Sequence, residues 1–217
     1  MQSITNALTQ LFNWINGMVP DYGLDIILFT LVFKIVLLPF NISQTKSMVK
    51  TQKIQPKLKE LQNKYKNDPK KLQEAQMELY KSEGFNPLSG CLPLLIQLPI
   101  LIAVFNVFRA YPFGNATFLD MKLMSVLKEN GIAGILFAVV SGLTTFISTW
   151  ILTPKNKDAG PASSNSTNII MAVVFGWMSW TMPVGLVIYW VVNNILQLVI
   201  QYILNKILMS KEAAESK

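Results

Sequence analysis

The chain has 217 residues, of which 51% are hydrophobic and 14% are charged, with a formal net charge of +7. A soluble domain is about 25% charged, and several uncharged runs here reach the roughly 20 residues that cross a hydrocarbon core, so the composition indicates an integral membrane protein. The sequence has no histidine, a single cysteine (Cys91) and no phosphate-binding glycine motif, which excludes a disulfide framework, a cysteine metal cluster and histidine-dependent catalysis and predicts neither an enzyme nor a bound cofactor or metal.

Residues 1–20 predict an amphipathic helix. Apolar side chains recur there at helical spacing, with asparagine and glutamine between them: Ile4, Leu8, Leu11, Ile15 and Met18. The segment has no basic n-region and too short an apolar run for a signal peptide. We therefore expect this helix to lie in the membrane interface.

Five membrane spans are predicted, in an all-α membrane protein. Pro87 and Pro154 mark the start of one span and the end of another, and the sequence TMPVG (Thr181–Gly185) divides an apolar run too long for one helix. The predicted spans are 21–43, 86–109, 131–153, 169–182 and 187–208. The segments between and after them are an extracytoplasmic loop (110–130), a cytoplasmic loop (154–168), an extracytoplasmic turn (183–186) and a cytoplasmic tail (209–217).

Residues 44–85 predict a helical hairpin between the first two spans. Two short apolar stripes at helical spacing are separated by Asn67–Pro69, where Asp68 is suited to cap the second helix. The stripes are Ile54, Leu58, Leu61 and Tyr65 on the first helix, and Leu72, Ala75 and Leu79 on the second. We expect these stripes to face each other.

The distribution of lysine and arginine predicts the orientation in the membrane. Ten lysines lie in the hairpin, two in the 154–168 loop and three in the C-terminal segment from Lys206, against three basic residues on the opposite side. Basic residues are concentrated in cytoplasmic loops. The hairpin and the C-terminus are therefore expected in the cytoplasm, and the N-terminus outside.

Lys34 stands in the middle of the first predicted span, in the stretch LFTLVFKIVLLPF (Leu28–Phe40). It lies nine residues from both Asp25 and Ser43, about 13 Å along a helix from either boundary, so its stem cannot carry the ammonium to the interface. A central lysine costs about 2.5–3.5 kcal/mol on insertion scales, which the surrounding apolar residues outweigh. The charge therefore has to face an internal acid or water.

The sequence places no acidic residue at the depth of Lys34, since every Asp and Glu lies in a loop, in the hairpin or at a helix end. The residues at comparable depth are uncharged and polar: Gln97, Asn106, Thr144, Thr145, Ser148, Thr149, Ser179, Asn193, Asn194 and Gln197. An unpaired ammonium among amides and hydroxyls predicts a hydrated cavity and a functional site. The alternative is that Lys34 snorkels or bonds backbone carbonyls, and that the polar residues serve helix packing.

Three segments carry a resemblance to a known family: KIVLLPFNISQTKSMVKTQKIQPKLKELQNKY, NPLSGCLPLLIQLPILIAVF and GLVIYWVVNNILQLVIQY. Their signals are a mid-span basic residue five before a proline followed by Q-T-K-S, then N-P-x-x-G-C-x-P, then Y-W in the last span. In this order they resemble the YidC/Oxa/Alb family of membrane protein insertases, in its minimal Gram-positive form. Cys91 also lies in a lipoprotein-like LSGC box, but its position after the hairpin favours a structural cysteine.

The resemblance implies five helices around a hydrophilic groove that is open to the cytoplasm and the lipid. It implies that Lys34 attracts acidic residues in the outer tail of a client protein, although arginine is the commoner residue at this position. Together with the polar residues at the same depth, the expected groove set is Lys34, Gln97, Thr145, Ser148, Thr149, Tyr189, Trp190 and Asn194.

The resemblance assigns the basic hairpin to client recruitment. The lysines concerned are Lys53, Lys57, Lys59, Lys64, Lys70 and Lys71. The expected partners are nascent membrane proteins and membrane lipids, with the Sec translocon, the targeting machinery and the ribosome as further candidates and no specific DNA or RNA sequence. Two alternatives stay open, a merely solvated positive-inside hairpin and a small anion channel or carrier that uses Lys34 as its anion site.

Overall fold

The computed structural model describes residues 2–19, 21–84, 92–152 and 165–215. Apart from a two-stranded β-hairpin and a short 3-10 helix at Leu127–Glu129, the regular structure described is α-helical, as predicted. The helices are α1 (Gln2–Asn16), α2 (Tyr22–Val36), α3 (Leu38–Lys64), α4 (Pro69–Ser82), α5 (Leu92–Ala110), α6 (Gly131–Leu152), α7 (Asn165–Trp180) and α8 (Val184–Glu215), and the strands are β1 (Thr117–Phe118) and β2 (Met121–Lys122). Cys91 and the lysines of the 154–168 loop lie outside the described residues.

Two of the described helices are long and apolar enough to cross a membrane by themselves. These are α6, over Gly131–Ile151, and α8, over Val184–Ile207. The pair α2 and α3 passes the same test when it is taken as one bent span, and α5 and α7 contribute shorter apolar stretches, Gln97–Ala110 and Asn168–Trp180. By length and composition the described residues therefore contain two to three spans.

The first predicted span is divided in the structure by a bend of 62° between α2 and α3. The physical cause is Pro39, which lacks the N–H that would bond the carbonyl of Ile35 and so interrupts the helix. Instead, Leu37 donates its backbone N–H to the carbonyl oxygens of Phe33 and Ile35 and ends α2. Residues 38–43 are continuous with the first hairpin helix, so the hairpin is joined to the spanning segment without an intervening loop.

The hydrophobic core is centred on an aromatic cluster around Phe12 of α1. The ring of Phe12 is fully buried and makes edge-on contacts, with centroid distances of 4.6–5.8 Å, to Phe29, Phe108, Tyr111 and Phe113. Leu8 and Ile15 are buried beside it. The apolar face of α1 thus packs against α2 and α5, and the location of this helix in the membrane interface stays a prediction.

The segment between α5 and α6 closes over the turn that joins α7 and α8. Residues 123–126 pair with this turn: Val184 and Gly185 donate backbone N–H groups to the carbonyls of Ser125 and Leu123, at 3.0 and 2.9 Å. A Cβ at Gly185 would lie 3.3 Å from the side chain of Ile26, so glycine permits this close approach. These bonds fix the N-terminal end of α8 against the segment that precedes α6.

Helices α3 and α4 form a hairpin, and its capping agrees with the sequence prediction. The Asp68 side chain accepts a hydrogen bond from the backbone N–H of Lys71 at 3.2 Å and caps α4. Ile54 and Leu58 are buried, while the stripe on α4 is half-buried. At the open end Lys57 forms an ion pair with Glu83, and this contact lowers the pKa of the Glu83 carboxyl.

Candidate functional site

Lys34 is buried at the contact between α2 and α8. Its residue is 6% exposed, and its ammonium donates a hydrogen bond of 2.8 Å to Oε1 of Gln197 on α8. Among the described residues, the ammonium bonds no backbone carbonyl. Its partner is a neutral side chain that cancels none of its charge.

Within the described residues, no carboxylate pairs with Lys34. The acid nearest to it along α2 is Asp25, which is itself fully buried and accepts a hydrogen bond from Asn16 of α1. The ion pairs that the structure describes lie in the hairpin, between Lys57 and Glu83 and between Lys71 and Asp68. Lys34 thus keeps an uncompensated positive charge inside the bundle, as the sequence predicts.

One face of α8 carries polar side chains along much of its length. Trp190, Asn194, Gln197 and Gln201 are spaced by four, three and four residues, which puts them on a common helical face. Trp190 donates its indole N–H to the hydroxyl of Thr145 on α6 at 2.9 Å, and the Asn194 amide donates to the same hydroxyl at 3.0 Å. This face therefore joins α6 near Trp190 and α2 at Gln197.

The polar face continues toward the C-terminal end of α8. The hydroxyl of Thr45, on α3, donates to Oε1 of Gln201 at 3.0 Å, and the Gln201 amide donates to Asn205 at 3.0 Å. Both Thr45 and Gln201 are buried. We call this face of α8 and the side chains bonded to it the polar seam; its members are Lys34, Thr45, Thr145, Ser148, Trp190, Asn194, Gln197 and Gln201. Lys34 is its only charged member.

The close approach of α6 and α7 supports the α6 side of the seam. Gly142 and Gly176 pack directly against each other, and a Cβ built on Gly176 would lie 3.6 Å from the Cα of Gly142. Ser141 lies next to Gly142 on α6, and Ser179 lies three residues after Gly176 on α7. The two serine hydroxyls share a buried hydrogen bond of 2.7 Å. Small residues at such positions allow helix backbones to approach closely. This packing of α7 on α6 supports the helix from which Thr145 contacts α8.

Five of the eight predicted groove residues lie in the polar seam. These are Lys34, Thr145, Ser148, Trp190 and Asn194, where the Ser148 hydroxyl donates to the backbone carbonyl of Asn194 at 3.4 Å. Thr149, one residue further along α6, is half-buried, and its hydroxyl donates to the Thr145 carbonyl of its own helix at 2.9 Å.

Tyr189 and Gln97 lie elsewhere. Tyr189 is fully buried in the hydrophobic core, where its ring meets that of Phe108 edge-on at 6.4 Å. Neither Gln97 Nε2, on α5, nor the Tyr189 hydroxyl makes a hydrogen bond within the described residues. The adjacent residues Tyr189 and Trp190 are about 100° apart around α8, which explains why only Trp190 belongs to the seam.

Three seam residues were not in the predicted groove set, namely Gln197, Gln201 and Thr45. The four-three-four spacing of polar residues in an otherwise apolar run could have singled out the two glutamines. The pairing of Lys34 with Gln197 joins positions 163 residues apart, and no local pattern contains that information. The six predicted hairpin lysines are all exposed and lie away from the seam, on α3 and α4.

Comparisons with known proteins identify the family of this chain. The family described as 60Kd inner membrane protein matches residues 14–212. A membrane protein insertase YidC of Clostridium perfringens is 40% identical over all of this chain and 95% of its own length, and one of Caldanaerobacter subterraneus subsp. tengcongensis is 42% identical over 94% of both chains. The chain belongs to the YidC/Oxa/Alb family.

A solved structure of a YidC family member agrees with the fold. It is described as an active YidC insertase crystal structure with the first transmembrane domain resolved, and it matches with a TM-score of 0.71 at 35% identity. The match covers 92% of this chain and 46% of the solved chain, so this chain spans less than half of that YidC. The family is one of non-enzymatic membrane insertases, and the clostridial relative agrees with the Gram-positive type predicted from the motifs.

Proposed function

We propose that this protein inserts clients into the bacterial plasma membrane by easing short polar, often acidic, flanks of their transmembrane helices into the bilayer. The flank enters a hydrated groove along the polar seam and meets the charge of Lys34. The amides and hydroxyls of the seam replace part of the hydration that the flank loses. No covalent chemistry is needed, because the protein shortens the apolar distance that the flank still has to cross.

The observation that carries this proposal is a buried ammonium whose partner, among the described residues, is an amide and not a carboxylate. At an effective dielectric constant near 20, two opposite charges about 4 Å apart attract by roughly 4 kcal/mol. Moving one acidic residue to the bilayer centre costs about 2.5–3.5 kcal/mol. The two terms are comparable, so one lysine can offset the cost of one acid but not that of a long charged segment.

The proposed topology has five spans, with the N-terminus outside and the C-terminus in the cytoplasm. It takes the bent pair α2 and α3 as the first span and the short apolar helices α5 and α7 as the second and fourth. The predicted span 187–208 lies within α8, which extends from Val184 to Glu215, and the predicted span 169–182 overlaps α7, which extends from Asn165 to Trp180. The excess of lysine on the hairpin side supports this orientation.

The hairpin of α3 and α4 is proposed to recruit clients at the cytoplasmic surface. Its six exposed lysines, Lys53, Lys57, Lys59, Lys64, Lys70 and Lys71, present a basic surface to anionic lipids or RNA-rich partners. Nascent membrane proteins are the proposed clients. The Sec translocon, the targeting machinery and the ribosome are proposed partners at this surface.

The test of the proposal uses purified protein in lipid vesicles and two clients that differ only in an Asp or an Asn in the outer tail. Lys34→Ala should slow insertion of the Asp client far more than that of the Asn client, and Lys34→Arg should retain both activities. Equal slowing of both clients would remove the electrostatic role. Chloride flux through the same vesicles would instead favour a small anion channel or carrier.

A further inference from the structure

The hydrogen bond between Lys34 and Gln197 fixes which end of the glutamine amide faces the ammonium. An ammonium has three N–H donors and no acceptor, so the atom 2.8 Å from Nζ must be the carbonyl oxygen Oε1. The Nε2 amide group of Gln197 then points away from Nζ but remains attached to the same planar group. The bond from Lys34 to Gln197 thus fixes the position of both the ammonium N–H groups and the amide N–H groups of Gln197.

These donors have few partners among the described residues. The single bond to Gln197 uses one of the three N–H groups of Lys34. Within the described part of the chain, the Gln197 side chain makes no other hydrogen bond, and its Nε2 is not sealed off from solvent as that of Gln97 is. Asn194, one turn earlier on α8, is already committed to Thr145. Within the described residues, the remaining N–H groups of the Lys34 ammonium and those of Gln197 Nε2 therefore have no hydrogen-bond acceptor, and Oε1 and Nε2 of the same planar amide separate the two sets by a few ångströms.

We infer that Lys34 and Gln197 act together as a composite receptor for a single carboxylate, with Gln197 as a specificity-determining residue. One carboxylate oxygen accepts from the Lys34 ammonium and the other accepts from Nε2 of Gln197. A lysine alone offers a point charge, whereas a guanidinium presents two donors in a fork that matches a carboxylate. The pair supplies the second donor that lysine lacks.

This inference rests on the proposed function and makes it more specific. If Gln197 only filled space between α2 and α8, its loss would slow all clients. If it competed with the client for the ammonium, its loss would speed insertion of acidic clients. A receptor predicts a third result, in which the loss slows acidic clients alone, and only while residue 34 is a lysine.

The experiment is a double-mutant cycle in vesicles that contain the purified full chain, with the Asp and Asn clients described above. The variants are Gln197→Met, which keeps length but removes the amide, Lys34→Arg, and the two combined. We expect Gln197→Met to lower the ratio of Asp to Asn insertion rates about tenfold with lysine at position 34, the loss typical of one hydrogen bond to a charged group. With arginine at position 34 the same change should alter the ratio less than twofold.

Val199→Met controls for the effect of introducing a methionine into α8. Val199 lies on an exposed face of that helix, so this change should leave the ratio unchanged. Three results would overturn the receptor: an equal loss in both backgrounds, no change of the ratio, or a ratio that increases. The rate of the Asn client reports whether each variant is folded. Lys34→Ala separates a failure of the proposed function from a failure of the receptor. An unchanged Asp-to-Asn ratio in Lys34→Ala refutes the proposed function. A lowered ratio in Lys34→Ala, together with no effect of Gln197→Met, refutes only the receptor.

Discussion

A single cation in the polar seam limits how much negative charge a client tail can carry. We consider three clients whose outer tails contain no, one or two aspartates. Lys34 is the only charged member of the seam, and its neighbours there are amides, hydroxyls and an indole. One aspartate is offset by the lysine, since attraction of roughly 4 kcal/mol matches its transfer cost of about 2.5–3.5 kcal/mol.

The second aspartate finds no cation and has to bear its full transfer cost. A barrier higher by about 2.5–3.5 kcal/mol slows insertion on the order of 100-fold. We therefore expect similar rates for no and one aspartate and a steep fall between one and two. In Lys34→Ala the same fall should occur between no and one aspartate.

The assay is protease protection of the client tail in vesicles that contain purified protein, followed over time for each of the three clients. Lys34→Arg serves as the matched control, because it keeps the charge and should keep the step between one and two aspartates. A gradual decline that is the same in wild type and Lys34→Ala would refute the reasoning, since the position of the step would then not depend on the lysine.

Three other predictions concern stability. Phe12→Ala should destabilise the bundle by about 3–5 kcal/mol, measured as a lower thermal midpoint in detergent, whereas Trp14→Ala on the exposed face of α1 should change it little. Tyr189→Phe removes a hydroxyl that has no partner within the described residues, so the same midpoint should stay or rise. Because pairing with Lys57 lowers the pKa of Glu83, the pair stabilises the hairpin above the usual glutamate pKa, and protease cleavage there should increase as the pH falls below it.

The sequence predicted the helical class, the family and the uncompensated charge of Lys34, because each of these depends on local or compositional information. Apolar runs specify helices in a bilayer, and the absence of any acid at that depth follows from reading the chain. The capping of α4 by Asp68 was also local, since the cap and the N–H it accepts are three residues apart.

The remaining features depend on contacts between distant segments. The burial of α1 against α5 could not be read from its amphipathic pattern, because an apolar face packs equally well on lipid or on protein. The different directions of Tyr189 and Trp190 follow from which helices surround α8. Gln197 became the partner of Lys34 only through the packing of α2 on α8, and Pro39 did not by itself specify a bend of 62°.

The most direct test of the central claim is whether water reaches the side chain at position 34 from the cytoplasm. Single cysteines at Lys34 and at Ile35, whose side chain is 60% exposed on the outer face of α2, are placed in a Cys91→Ser background in oriented vesicles and treated with a charged, membrane-impermeant maleimide. We predict labelling at position 34 from the cytoplasmic side only, and none at position 35, which faces lipid. Failure to label position 34 from either side, or labelling from the outer side, would contradict a wet, inward-facing site for the lysine.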